Sequence, residues 1–272
     1  MMETLDQVAR VRHIKILYDH ILKAVIAAKL NILAVGDSIC SGFRNSGKGF
    51  VGDLGMPYLN KGIAGTTLSN IIDGTVDDRD RTCIPAQLAR TPTTNPDYAP
   101  DVIIADGGIN DYFQGAAMGA IPTVPVTGAA ELNALDASTV MGGLQRLFYY
   151  MITLFPKAQR FFLITHKTFA EFDGEFRYLP TYQNTAGYTQ QELHDAIVQC
   201  CNVYNVKVID VYRDSMLNTA FPQYRSDVAY STDNTKTETE YVDLDGVHPM
   251  ALGYREAYLP LIRQAIYGIK GV

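Results

Sequence analysis

Residues 31–42 read Asn-Ile-Leu-Ala-Val-Gly-Asp-Ser-Ile-Cys-Ser-Gly. An unbroken apolar run that stops at Gly36-Asp37-Ser38 has the form of a buried strand breaking into a turn. Glycine allows the tight backbone turn. Ser38 then falls at the start of the next helix, where backbone N–H groups are free to meet negative charge. Two readings are open: Ser38 caps that helix, or it is a nucleophile held at the lip of a sheet.

Outward from this stretch, further strand-like runs follow at 57–60, 102–106 ("VIIAD"), 160–165 ("RFFLIT") and 206–210 ("VKVID"). The runs at 102–106, 160–165 and 206–210 are continuous apolar segments, the pattern of strands buried on both faces. Helical spacing occupies about 138–155, 187–204 and 250–268. Strands alternating with helices predict an α/β fold, a parallel sheet sandwiched between helices. Residues 74–100, 114–130, 168–184 and 226–240 read as loops, the third crowded with aromatics. Loops of this length are often functional.

Ahead of the first strand, Val11, Ile14, Tyr18, Ile21, Val25 and Ala28 recur at alternating steps of three and four. That predicts an amphipathic N-terminal helix, either docked on the domain or serving as an oligomerising stalk. The chain therefore divides into this helix (1–29) and one larger domain (30–272).

Bulk properties narrow the class. The chain has 272 residues, enough to bury a sizeable core, and 47% of them are hydrophobic. A net charge of −6 gives no footprint for nucleic acid. Cys40, Cys83, Cys200 and Cys201 form no C-x-x-C pair, so neither a zinc site nor a disulfide framework is indicated. Buried free thiols favour a reducing compartment. Charges at Arg10, Arg12, Lys15, Asp19 and Lys23 break any signal-peptide core, which favours the cytoplasm. The apolar window 24–35 contains Lys29 and is too short to span a bilayer.

In an open parallel sheet, ligands bind beyond the carboxyl ends of the strands. Four stretches lie at such ends or close to the C-terminus: Gly36-Asp37-Ser38, Asn60-Lys61-Gly62-Ile63-Ala64-Gly65-Thr66-Thr67, Gly107-Gly108-Ile109-Asn110-Asp111, and Asp243-Leu244-Asp245-Gly246-Val247-His248-Pro249. Each alone has an ordinary structural explanation: a cap, a glycine turn, an Asx-turn, a loop leading to a proline-started helix. Together they hold what acyl transfer needs. A hydroxyl nucleophile requires a base, the base an orienting carboxylate, and the developing oxyanion a set of donors. The spacing of Asp245 and His248 lets the carboxylate reach Nδ1–H and leaves Nε2 for a nucleophile.

In this order the four stretches resemble the blocks of the SGNH (GDSL-type) hydrolase family, with Ile39 where the family name has Leu. The resemblance runs from residue 36 to 249. It implies a three-layer α/β/α sandwich around a mostly parallel, five-stranded, flavodoxin-like sheet. It also implies roles: Ser38 as nucleophile, His248 as general base and then acid, and Asp245 as its partner. Ser38 N–H, Gly65 N–H and the Asn110 amide would form the oxyanion hole. Gly65 fits the second block best, with Gly62 as the rival. Asp243 is the rival of Asp245, disfavoured because the family pattern is Asp-x-x-His. No metal or organic cofactor is implied.

The expected reaction is hydrolysis of a short-chain acyl ester through an acyl-enzyme, with O-deacetylation of a carbohydrate favoured. The alternatives are a lysophospholipase- or thioesterase-type acyl hydrolase, and a glycan-binding module without catalysis. His166, Phe169 and Tyr178, on or after the fourth strand, are the candidates for substrate contact, and His166 is also the fallback base; the alternatives are a satisfied structural histidine and an aromatic insertion that packs its own small core. The expected partners are a small-molecule or glycan ester and a second copy of the chain through the N-terminal helix. Cys40, two residues past Ser38, reads as packing.

Overall fold

The computed structural model describes residues 30–69, 83–227 and 239–268. The expected helix within 1–29, and any association through it, lies outside the described residues.

Five strands form one parallel sheet: β1 (Ile32–Val35), β2 (Tyr58–Asn60), β3 (Val102–Asp106), β4 (Gln159–Ile164) and β7 (Lys207–Asp210), in the order β2-β1-β3-β4-β7. This is the flavodoxin-like order, and the sheet is wholly parallel. The apolar runs explain it: every residue of β1 and β3 is buried, so both faces of these strands need a helix layer. Burying one such aliphatic side chain contributes about 1.5–3 kcal/mol.

Helices cover the sheet. α1 (Ser38–Ser41) is a single turn after β1. α2 (Ile84–Thr94) packs on α5 (Val140–Leu154), whose Val140, Leu144, Leu147 and Met151 form the buried stripe at helical spacing. Short helices α3 (Ile109–Gln114) and α4 (Ala129–Ala134) precede α5. α6 (Gln190–Tyr204) opens with a capping box, in which Thr189 accepts from Glu192 N at 3.1 Å and Glu192 accepts from Thr189 N at 2.7 Å. A further turn, α7 (Val211–Asp214), follows β7. The chain finishes with α8 (Ala251–Gly253), a π-helical turn (Tyr254–Tyr258) and α9 (Leu259–Tyr267).

Two expected loops contain regular structure. Within 74–100, α2 forms because Pro85 sits in the first turn, where a missing N–H costs nothing. Within 168–184, β5 (Phe169–Phe172) and β6 (Glu175–Tyr178) pair as an antiparallel hairpin outside the main sheet. All four cysteines are free, and three of them are buried.

The chain order reverses between β1 and β3, since β2 lies to one side of β1 and β3 to the other. That switch point opens a crevice beyond the carboxyl ends of the two strands. The Ser38 turn leaves β1 and the Asn110 helix leaves β3 at this place.

Candidate active site

The turn after β1 settles which residue caps α1. Asp37 Oδ1 accepts from Ile39 N at 2.8 Å, so Asp37 is the cap and the Ser38 hydroxyl is left for other work. Asp37 N–H in turn donates to Asp106 Oδ1 at the end of β3, 3.2 Å away. Gly36 is required here, because a Cβ would lie 1.5 Å from that same Asp106 oxygen.

The Ser38 Oγ lies 2.9 Å from His248 Nε2. His248 Nδ1 lies 2.6 Å from Asp245 Oδ2. The other oxygen, Oδ1, accepts from the backbone N–H groups of Val247 (2.8 Å) and His248 (3.0 Å), which fixes the carboxylate plane. Burial pushes the Asp245 carboxyl up, but the His248 hydrogen bond and charge, with the two backbone donors, outweigh it and leave the pKa below the usual range. An ionised Asp245 accepts the Nδ1–H, which leaves the Nε2 lone pair facing the serine hydroxyl. Asp243 does not compete: its Oδ2 pairs with Arg44 Nε at 2.8 Å and its Oδ1 takes the Leu244 N–H at 2.7 Å.

The donors expected for an oxyanion border the same turn. The loop 61–66 is laced to it, with Ile63 N–H (3.0 Å) and Thr66 Oγ1 (3.2 Å) both donating to Gly36 O. Gly62 N–H is spent on Asn60 Oδ1 at 2.9 Å, and a Cβ there would sit 2.5 Å from Ser41 N, so Gly62 is a packing glycine. Gly65, exposed and at φ +80°, keeps its N–H without a partner among the described residues, as Ser38 does. Asn110 Nδ2 gives one hydrogen to Thr66 O at 2.9 Å and retains a second. Asp111 clamps the following loop, accepting from Leu68 N (2.8 Å) and Ser69 N (2.9 Å).

Beside Asp245 a groove of about 400 Å³ runs between the β5–β6 hairpin and the base loop. Arg44, Phe113, Glu171, Phe176, Asp243 and Val247 line it. The aromatic signal in 168–184 thus marks the right segment, but Phe176 and not Phe169 or Tyr178 faces the groove. Phe169 stacks on Phe176 with ring centroids 5.6 Å apart, and the Arg225 guanidinium covers both rings at 4.8 Å. Tyr178 OH is held by Asn218 Nδ2 at 3.2 Å. His166 does not reach a substrate at all: it is fully buried, with Nδ1 2.8 Å from Tyr258 OH and Nε2 3.3 Å from Gly246 O. For the same reason it cannot replace His248 as base. Phe43, next to the nucleophile turn, packs its ring against His248 at 5.2 Å and carries the Arg44 guanidinium at 4.5 Å. The sequence offered no pattern for Phe43, Arg44 or Phe113, because they meet the site only through tertiary folding. Cys40 is buried and its thiol lies 3.3 Å from Asn60 Oδ1, a packing role.

Among the described residues, no group of three or more His, Cys, Asp or Glu could hold a metal ion, and no helix is long and apolar enough to cross a membrane.

Residues 34–256 match the model of the GDSL-like lipase/acylhydrolase family. No curated protein matches the chain. Among solved structures, a protein from Lactobacillus plantarum is 21% identical with a TM-score of 0.63, covering 89% of this chain and 98% of its own. A possible lipase from Chitinophaga pinensis is 19% identical with a TM-score of 0.57, covering 88% of this chain and 99% of its own. A catalytic mutant of an acetylxylan esterase from Geobacillus stearothermophilus is 15% identical with a TM-score of 0.50, covering 88% of this chain and 95% of its own. At these identities the likeness is one of fold.

Proposed function

We propose, from the premise that this chain belongs to the GDSL-like lipase/acylhydrolase family of carboxylic ester hydrolases, that it is a serine esterase for short acyl groups carried on a sugar hydroxyl. The observation that carries this reading is the relay Ser38 Oγ–His248 Nε2–Asp245, with contacts of 2.9 and 2.6 Å.

The mechanism follows from that geometry. Ser38 Oγ attacks the ester carbonyl carbon while its proton passes to His248 Nε2, and the carbonyl π electrons move onto oxygen. Asp245 holds the ring in the tautomer able to accept the proton and stabilises the imidazolium that forms. The oxyanion meets the N–H groups of Ser38 and Gly65 and the spare hydrogen of the Asn110 amide. Collapse of the intermediate breaks the bond to the alcohol, which leaves with the proton from His248. Water then attacks the acyl-serine, again giving its proton to His248, and collapse returns that proton to Ser38 as the acid departs.

The groove supports a sugar as the alcohol half. Phe113 and the exposed Phe176 offer apolar surface for a ring, and the exposed Glu171 offers an acceptor for hydroxyl groups. The carboxylates of Glu171, Asp243 and Asp245 outnumber Arg44 on its walls, which disfavours an anionic phospholipid or a long alkyl chain. The fold is also that of an acetylxylan esterase.

The test is hydrolysis of p-nitrophenyl acetate and butyrate, run beside acetate release from acetylated oligosaccharides, for wild type and Ser38→Ala. Acetate release lost in Ser38→Ala is the expected result. Ester cleavage that survives Ser38→Ala would remove the nucleophile from this account. A wild type that is inert on every ester would leave glycan binding without catalysis as the better reading.

A further inference from the structure

Ser38 and His248 come from parts of the chain 210 positions apart, so something must hold the nucleophile turn in register with the base loop. A buried set of hydroxyls and one imidazole joins the two. The π-helical turn Tyr254–Tyr258 brings two tyrosine rings side by side, with centroids 5.4 Å apart, and both residues are buried. Single π-helical turns recur at functional sites. Tyr254 OH donates to Ile39 O at 2.8 Å, on the residue next to the nucleophile. Tyr258 OH lies 2.8 Å from His166 Nδ1, and Thr165 Oγ1 lies 2.9 Å from the same hydroxyl. His166 Nε2 reaches Gly246 O, between Asp245 and His248, at 3.3 Å.

The direction of these bonds is fixed by what each atom can do. A carbonyl oxygen only accepts, so His166 Nε2 carries the proton. Burial pushes the His166 pKa down to about 4, and the neutral ring therefore presents a lone pair at Nδ1. Tyr258 OH, at 2.8 Å, is the nearer donor to that lone pair than Thr165 Oγ1 at 3.3 Å, and with its own hydrogen so used it accepts from Thr165. The chain runs Thr165, Tyr258, His166, Gly246, every donor used once. Gly246 itself sits at φ +75°, and a Cβ there would lie 1.9 Å from Phe169 O, so the base loop has no slack on its other side.

We propose that Tyr254, Tyr258 and His166 are positioning residues: Tyr254 and Tyr258 stand on one π-helical turn, and Tyr254 directly and Tyr258 through His166 tie down the nucleophile turn and the base loop, and so set the Ser38–His248 contact. None of them touches substrate. The inference rests on the serine-esterase reading for its kinetic consequence, but not for its structural one.

The test uses the full chain with Tyr254→Phe and Tyr258→Phe, which remove only the hydroxyls. Five quantities are read: melting temperature, kcat and KM on p-nitrophenyl acetate, the rate of Ser38 labelling by a fluorophosphonate, and the downfield proton resonance of His248 Nδ1–H. A misplacement of a fraction of an ångström lowers kcat, so each variant should lose about 10-fold in kcat and in labelling rate with KM within twofold. The His248 resonance should move or broaden in Tyr258→Phe. A lower melting temperature with kcat, labelling rate and resonance unchanged would mean the hydroxyls only support the core, and would overturn the proposal. Should the variants not fold, a long-range proton–nitrogen spectrum of wild type decides: His166 protonated at Nε2 supports the chain of donors, and His166 protonated at Nδ1 breaks it. A wild type that cleaves no ester but whose His248 resonance responds to Tyr258→Phe supports the positioning and rejects the esterase reading instead.

Discussion

His248 Nδ1 and Asp245 Oδ2 stand 2.6 Å apart, the shortest polar contact in the relay that begins at Ser38. In the proposed mechanism this bond decides which nitrogen of the ring is left to act as a base. In Asp245→Asn the amide can offer a hydrogen to Nδ1 and favour the Nε2–H tautomer, which cannot take the serine proton. The expected loss is about 10³–10⁴ in kcat with the fold retained. Comparing kcat with the circular-dichroism melting curve checks it, and a loss under tenfold would mean that the carboxylate does not select the tautomer.

Asn110→Ala should lower kcat by about 10²–10³ while KM changes little, because the amide meets charge that exists only after attack. Asn110 also donates to Thr66 O, so some stability is lost as well. Kinetics at a temperature well below the variant's own melting point separate the two. Equal kcat in variant and wild type would take Asn110 out of the oxyanion hole.

His194 should make stability depend on pH. It bridges Asp195 (2.8 Å) and Asp210 (2.9 Å), pinning α6 to β7, and stacks on Tyr212 with centroids 4.7 Å apart. Burial lowers its pKa, but the hydrogen bonds and charges of Asp210 and Asp195 together outweigh burial and raise it. A raised histidine contributes stability that is fully present below its unfolded value near 6.5 and is lost as pH rises through the folded value. Thermal melts of wild type should therefore lose stability as pH climbs above about 6.5, and His194→Gln should lack that component. Parallel pH curves for the two proteins would reject it.

Asp37 acts in the opposite sense to an ordinary paired carboxylate. Burial pushes its pKa up to about 6, against the Ile39 N–H that lowers it. Asp106, which shares the same buried space, is raised further. The native state thus keeps a proton that the unfolded chain releases near pH 4, and stability falls as pH rises from roughly 4 to 6. Asp37→Asn keeps an acceptor for Ile39 N–H and sheds the buried charge. It should raise stability at pH 7 by an amount on the order of 1–3 kcal/mol and flatten the slope in that window. Urea unfolding at pH 4 and pH 7 reads both effects, and a variant less stable at pH 7 would show that the charge is needed where it is.

What could be read from the chain alone follows a physical divide. β1 and β3, and the last four residues of β4, are continuous apolar runs because central parallel strands are buried on both faces, and such runs stand out without any fold in view, whereas the edge strand β7 keeps an exposed Lys207. Ser38, Asn110, Asp245 and His248 stand out as candidates because each lies at a strand end or in a short local pattern, and the fold brings Ser38, His248 and Asp245 together. α2 was hidden by Pro85 and Pro92, which signal loops until one sees that the first sits in the opening turn of a helix. His166 admits two readings in the sequence, a substrate contact or a satisfied structural histidine. A histidine beyond a strand looks available for chemistry, and only the packing of Tyr258 and Gly246 around it shows that both nitrogens are engaged. Phe176 and Phe169 share one face of the hairpin and stack on each other, and which of the two rings reaches the groove is set by what packs against that face, which the sequence does not carry.

The 210-position gap between Ser38 and His248 also has a timing consequence. At translation rates of roughly 5–20 residues per second, the serine leaves the ribosome about 10–40 s before its base. A nascent chain holding the first strand therefore carries a serine with no base to deprotonate it. Esterase activity should switch on only after the segment carrying His248 has emerged and docked, so ribosome-stalled chains that end before it would be chemically silent towards esters.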